Sequence, residues 1–192
     1  MNPMKISVLI PTFNCERFIE ETLNCIFQQT LSPFEIIIVD DGSSDGTQHI
    51  MKNYEGQVLY HRQVNQGISA ARNKCIHLAN GDAIAFLDAD DIWTKESLEC
   101  RAQRLEKDPE LDGVVGMVEQ FLSPDMSTGV QRSLKVHSDI IVARLAGSML
   151  LRRRVFETVG GFDTSLKIGE TADWIARAEM HGIRLEPIDE LV

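Results

Sequence analysis

Short apolar and β-branched runs alternate along the first half of the chain with segments of helical length. Ile6 to Ile10, Glu35 to Val39, Gln57 to His61 and Ala83 to Leu87 have the length and composition of buried strands. After the first of them, Phe18, Ile19, Leu23, Ile26 and Phe27 recur at a spacing that lays one apolar stripe along a helix from about Glu16 to Gln29, with Asn14 placed as its cap. A second helix is expected after Asp45 and a third from about Ser69 to Ala79. Strict alternation of this kind predicts an α/β fold, with a mostly parallel sheet and helices on both faces. Ligands in such folds bind beyond the carboxyl ends of the strands, so polar residues at those ends are the first place to look for chemistry.

The second half is less regular. It reads as a helix from Thr94 to about Glu106, a strand from Gly113 to Glu119, and a polar stretch from Ser123 to Ser138 suited to a loop or lid. A strand from Ser148 to Leu151, a basic run at Arg152-Arg153-Arg154, a turn at Gly160-Gly161 and a helix from about Thr171 to His181 follow. The sequence stops at Val192 on the approach to another element, as a piece of a longer chain would.

With 192 residues and 43% hydrophobic content, one well-buried domain spanning residues 1–192 is expected. A formal net charge of −10 argues against a nucleic-acid partner. Cys15, Cys25, Cys75 and Cys100 lie far apart, which suggests reduced thiols in a cytoplasmic protein rather than a zinc site or a disulfide framework. No signal peptide is evident, and apolar runs such as Ile36 to Val39 fall far short of the ~20 residues that cross a bilayer. The three consecutive arginines could provide peripheral contact with the inner face of a membrane, or simply be solvated charge.

Three strand ends carry candidate chemistry. The first strand runs into Pro11-Thr12-Phe13-Asn14, where proline should break the ladder. The second runs into Asp40-Asp41-Gly42-Ser43-Ser44-Asp45-Gly46-Thr47. There, Asp41 could accept from a nucleobase or ribose, or serve the turn itself. Asp41, Ser43 and Asp45 also begin a calcium-loop spacing, but Lys52 stands where the bidentate glutamate belongs. The fourth ends in Asp88-Ala89-Asp90-Asp91. In extended chain Asp88 and Asp90 would point together and Asp91 away, a pair of hard oxygen ligands suited to Mn2+ or Mg2+ with a diphosphate. In Gly67 to Asn73, small residues open a helix and allow close approach, and Arg72 could pair with phosphate or with nearby aspartates.

In this order and spacing, Ile10 to Asn14, Val39 to Thr47, Gly67 to Asn73 and Phe86 to Asp91 resemble the family 2 inverting glycosyltransferases of GT-A fold, a Rossmann-like architecture. The resemblance extends to about Ile188. It implies a nucleotide-sugar-binding half over residues 1–91, an acceptor-side half over 92–192, and transfer from a nucleoside diphosphate sugar, UDP-sugars being favoured, to a glycan or lipid-linked acceptor. It further implies that Pro11, Thr12, Phe13, Asp41, Gly67, Arg72, Asp88, Ala89 and Asp90 bind the donor, with Asp88 and Asp90 at the metal. Many members carry Glu-Asp ahead of the last helix, the Asp serving as base. Here the run is Gly169-Glu170-Thr171-Ala172-Asp173-Trp174, with Thr171 in that place, so Glu170 and Asp173 become the candidate bases. They lie three apart and could share a helix face. Two rival readings are a nucleotidyltransferase, which should show a Gly-rich basic loop after Ile10 and does not, and a sugar-nucleotide-binding protein without catalysis.

Overall fold

The structure is a computed structural model that describes residues 3–121 and 140–192, so the polar stretch from Ser123 to Ser138 lies outside the described residues. One sheet contains β1 (Ile6–Thr12), β2 (Glu35–Asp40), β3 (Leu59–Arg62), β4 (Ala83–Phe86), β5 (Gly113–Val118), β6 (Ile141–Val142), β7 (Met149–Arg152) and β8 (Leu185–Leu191). The path runs β3-β2-β1-β4-β7-β5-β6, with β8 also paired to β5. Its first four strands are parallel. The β4–β7, β7–β5 and β5–β6 pairs are antiparallel, and β8 joins β5 in parallel. The mostly parallel α/β sheet matches the expectation, and the antiparallel insertion of β7 is what the sequence pattern did not indicate.

Six α-helices accompany the sheet in the described residues: α1 (Ile19–Phe27), α2 (Thr47–Met51), α3 (Ile68–Leu78), α4 (Ser97–Lys107), α5 (Arg154–Val159) and α6 (Glu170–Met180). The pleat sorts them. Ile6, Val8 and Ile10 of β1 share a buried cluster with Leu23 of α1, Met51 of α2 and Leu105 of α4. Leu9, one residue out of phase, joins a second cluster with Cys75 of α3, Phe156 of α5 and Trp174 of α6. Both faces are thus covered, which is why the central strands read as continuous apolar runs rather than alternating ones.

Two local expectations change at the strand ends. Pro11 does not end β1; it pairs in register with Val39, and the strand continues to Thr12. Leu9 faces β4, accepting from the Leu87 N–H at 3.0 Å, so Pro11 two residues on faces the same side, where β4 has already ended and no donor is needed. Asn14 does not cap a helix, because α1 begins only at Ile19. With φ of 53° it instead ties two loops together, donating its N–H to Ser43 Oγ at 2.9 Å and accepting the Ser44 N–H on Oδ1 at 2.8 Å. Asp45 reinforces the join by accepting from the Glu16 and Thr47 N–H groups, both at 3.0 Å.

The three arginines are occupied within the protein. Arg152 donates to the carbonyls of Leu105, an orphan acceptor in the last turn of α4, and of Leu111 in the loop that follows, both at 2.8 Å. Arg153 donates to Gly81 at 2.7 Å, and Arg154 pairs with Asp112 at 2.9 Å. Arg152 and Arg153 thus clamp neighbouring backbone, while Arg154 pairs with Asp112 at the surface.

At Gly81 an added Cβ would lie 2.6 Å from Ser7 Oγ and 2.7 Å from the Lys5 carbonyl. The backbone beside β1 has no room to yield, so Gly81→Ala should destabilise the fold by about 1–3 kcal/mol, measured by urea unfolding.

Candidate functional site

The carboxyl ends of β1, β2 and β4 converge on one side of the sheet. Phe13, 49% exposed, stands at the surface there, while Pro11 and Thr12 are buried beneath it. Asp41 is 3% exposed and heavily used. Its Oδ1 accepts from Gln63 Nε2 at 2.8 Å and the Gln66 N–H at 2.9 Å, and its Oδ2 accepts the Gly67 N–H at 2.7 Å. A carboxylate offers about four acceptor positions, so one remains on Oδ2 for a ligand donor. Asp41 thus shapes the loop into α3, whose entry residue Gly67 takes φ of +91°, a conformation suited to glycine. Asp40 is committed to the protein, accepting from the Ser43 N–H at 2.7 Å and from the Tyr60 hydroxyl. Burial and then Asp40 itself push the Tyr60 phenol up.

At the end of β4 the chain turns rather than continuing extended. The Asp91 N–H donates to the Asp88 carbonyl at 3.0 Å, and Thr22 Oγ1 of α1 lies 3.0 Å from the carbonyls of both Ala89 and Asp91. Ala89 is buried, so it presents the turn rather than a side chain. The turn overrides strand alternation: Asp91, expected to face away, lines the same cavity as Asp88. Desolvation, then the charges of Asp88 and Asp90, push the Asp91 carboxyl up to about 6. The residue as a whole is exposed, so like-charge repulsion outweighs desolvation there. Asp90 is exposed, and its charge, with those of Asp45 and Asp88, adds to burial in raising the Cys15 thiol across the β1–α1 loop.

Arg72 of α3 joins this turn to α6. Its side chain is 5% exposed; Nη2 meets Asp88 Oδ1 at 3.0 Å, and Nη1 meets Glu170 Oε1 at 2.6 Å and Thr171 Oγ1 at 3.0 Å. The guanidinium also lies 5.4 Å from the centroid of the Phe162 ring. Burial opposes ionisation of Glu170, but the backbone N–H at the start of α6, the charge of Arg72 and hydrogen bonds from Arg72 and Thr171 outweigh it. The carboxyl is held below the ordinary range. Next along α3, Asn73 grips the turn before α6 in both directions, donating to the Phe162 carbonyl at 2.8 Å and accepting its N–H at 2.7 Å.

The side chains of Glu170 and Asp173 turn to different partners. Glu170 turns to Arg72, whereas Asp173 turns to Arg177 at 2.9 Å, which in turn donates to the carbonyls of Val159 and Gly161. A cavity of about 700 Å3 therefore contains Glu170 but not Asp173 in its wall, together with Arg72, Asp88, Asp91, Arg144 and Gly147. Gly147 is a wall residue that sequence reasoning missed. Its carbonyl accepts from Trp93 Nε1 at 2.9 Å, and fully buried Arg101, pulled down to about 9 by burial, reaches the same carbonyl at 3.4 Å. No spacing rule links residues 93, 101 and 147, so only the folded chain could reveal them.

Hard carboxylate oxygens crowded enough to raise Asp91 fit a divalent cation, which would relieve the repulsion. Among the described residues, however, no group of three or more His, Cys, Asp or Glu could hold a metal alone. Asp90 and Asp88 could thus serve Mg2+ or Mn2+ with the remaining oxygens supplied by water or a substrate.

Comparison with known proteins matches residues 7–160 to the family described as "Glycosyl transferase family 2". The chain belongs to that family. Its relatives include the Bacillus subtilis "Putative teichuronic acid biosynthesis glycosyltransferase TuaG", 41% identical over 99 residues that cover 49% of this chain and 39% of that one. Glycosyltransferase AglE of Haloferax volcanii is 32% identical, over 94% of this chain and 63% of its own length. The chain thus spans less than two thirds of these relatives. Among solved structures, residues 1–349 of S. aureus TarS superpose with a TM-score of 0.78 at 23% identity, covering 97% of this chain and 58% of that one. Mannosyltransferase PcManGT of Pyrobaculum calidifontis, in complex with GDP-Man and Mn2+, gives 0.71 at 21% identity, over 100% and 56% of the two chains. These likenesses show the GT-A fold.

The lowered Glu170 carboxyl has a consequence for acid stability. Its ion pair stabilises the fold fully above the unfolded value of 4.5, and the contribution is lost as pH falls through the lower folded value. Glu170→Gln should therefore flatten the decline of unfolding free energy below about pH 4.5, measured by urea titration across that range.

Proposed function

We propose that the chain carries the donor-binding and catalytic core of a metal-dependent inverting glycosyltransferase, moving a sugar from a nucleoside diphosphate sugar to an acceptor hydroxyl. What carries the reading is the cavity floor, where Asp88, Asp91, Arg72 and Glu170 meet at the carboxyl end of β4 in a chain of this family. Pro11, Thr12, Phe13, Asp41 and Gly67 would line the nucleoside side, with Asp41 using its remaining acceptor position. Asp88, Ala89 and Asp90 would face the ribose and diphosphate. Bound Mn2+ or Mg2+ would offset charge on the leaving diphosphate. Glu170 is the favoured base, because it reaches the cavity while Asp173 is turned to Arg177.

The acceptor is proposed to be a glycan of the cell envelope, from the teichuronic acid named for TuaG. UDP-sugars are the proposed donors, supported by the complex of TarS with UDP-GlcNAc. A cytoplasmic setting rests on the four free cysteines, and no described helix is long and apolar enough to cross a membrane. A second reading, sugar-nucleotide binding without transfer, is favoured by one observation. Glu170 is held as a weak base by Arg72, and Thr171 stands beside it.

Two measurements test these roles. Asp90→Asn should abolish the Mn2+-dependent part of the thermal stabilisation given by UDP; an undiminished shift would remove Asp90 from the metal. In donor turnover, Glu170→Gln should lose about 10²- to 10⁴-fold, while Asp173→Asn stays within a few-fold of the parent. Turnover unaffected by either change would end both base assignments, and none at all in the parent chain would favour the binding reading.

A further inference from the structure

Arg72 is placed to control when the acidic turn can take a cation. Both Asp88 oxygens face its Nη2, at 3.0 and 3.3 Å, and its other arm holds Glu170 and Thr171. Among the described residues its buried Nε has no hydrogen-bond partner, and the two carboxylates and the threonine hydroxyl anchor the guanidinium. The remaining charged groups in the cavity wall are Asp91 and, at its rim, Arg144 paired with Glu179. A divalent cation arriving alone would thus meet exposed carboxylates at Asp90 and Asp91, with Asp88 beside them already paired to a permanent positive charge. Mg2+ and Mn2+ need several oxygen ligands, and Mg2+ gives up its water reluctantly. The guanidinium repels them at the same time.

We propose that Arg72 is a charge latch: by holding the carboxylates of Asp88 and Glu170, it keeps the donor-free site from capturing a divalent cation, which then enters only with the diphosphate. The inference rests on the reading that donor and cation meet at Asp88 to Asp90. A diphosphate resolves the competition because it brings oxygens for the cation and also offers the guanidinium fork another partner. Asp88 is released as Arg72 exchanges it for phosphate, and Glu170 loses the contact that holds its carboxyl low. Cation and nucleotide binding become coupled through this one side chain, and by linkage each strengthens the other by the same factor.

The test is Mn2+ binding to the 192-residue chain, read from the electron paramagnetic resonance signal of free Mn2+, with and without UDP. The parent should bind Mn2+ about tenfold or more tightly when UDP is present. Arg72→Gln should bind Mn2+ alone about tenfold more tightly than the parent, and UDP should then add about twofold or less. Arg72→Lys keeps a cation but cannot fork across two carboxylates, so it should gain about two- to fivefold without UDP. If Arg72→Gln does not fold, the lysine variant decides. Unchanged Mn2+ affinity in a folded Arg72 variant overturns the latch while leaving donor binding intact, as does a parent that binds Mn2+ equally with and without UDP. No Mn2+ binding by the parent even with UDP overturns the donor and cation reading, and the latch with it.

Discussion

The site depends on the burial of one guanidinium between carboxylates from distant parts of the chain. A cation as enclosed as Arg72 is tolerated only if its charge is met, and Asp88 and Glu170 meet it from the end of β4 and the start of α6. That demand fixes two elements that share no strand pairing. Phe162 lies against the same guanidinium, and Asn73, one residue along α3, clasps its backbone from both sides. The aromatic cluster of Phe86, Phe156, Phe162 and Trp174 fills the space below, so the acidic end of β4 and the entry to α6 are held by packing as well as charge.

The ends of β1 and β2 are organised differently, through loops that satisfy one another's backbone groups. Asn14, Ser43, Asp45 and Glu16 cross-link the loops after β1 and β2, and Asp41 collects two amides and a side-chain donor from the segment leading into α3. Loops that would otherwise be free at the strand ends are thereby set in place before any ligand arrives. On the far wall, Trp93 and Arg101 hold the Gly147 carbonyl, and an added Cβ at Gly147 would lie 3.6 Å from Asp91 Oδ2. The antiparallel β7 begins two residues after that glycine and carries this wall to the edge of β4.

The sheet was legible because burial on both faces leaves an unmistakable apolar run, and the acidic and glycine-bearing strand ends follow those runs directly. Side-chain direction was not. Alternation predicts Asp91 on the far side of Asp88, but the strand stops at Phe86 and a turn brings Asp91 back to the cavity. Helical spacing places Glu170 and Asp173 near one another, but Arg72 and Arg177 draw them apart. The basic run from Arg152 to Arg154 has the composition of a surface patch, yet each guanidinium finds an acceptor within the fold. The partners of Glu170 and of the three arginines lie far away in sequence, where local pattern carries no trace of them, whereas the Asp173–Arg177 pair and the turn from Asp88 to Asp91 are local.

The central claim is that nucleotide and cation meet at the turn after β4. Paramagnetic broadening of backbone amide signals by Mn2+ in the presence of UDP tests it most directly, because the ion reports its own position. The account predicts losses centred on Asp88 to Asp91, reaching Arg72 and Glu170 before the rest of the chain. Broadening centred elsewhere, such as the shallow hollow lined by Gln48, Met51, Tyr54 and Tyr60, would contradict it.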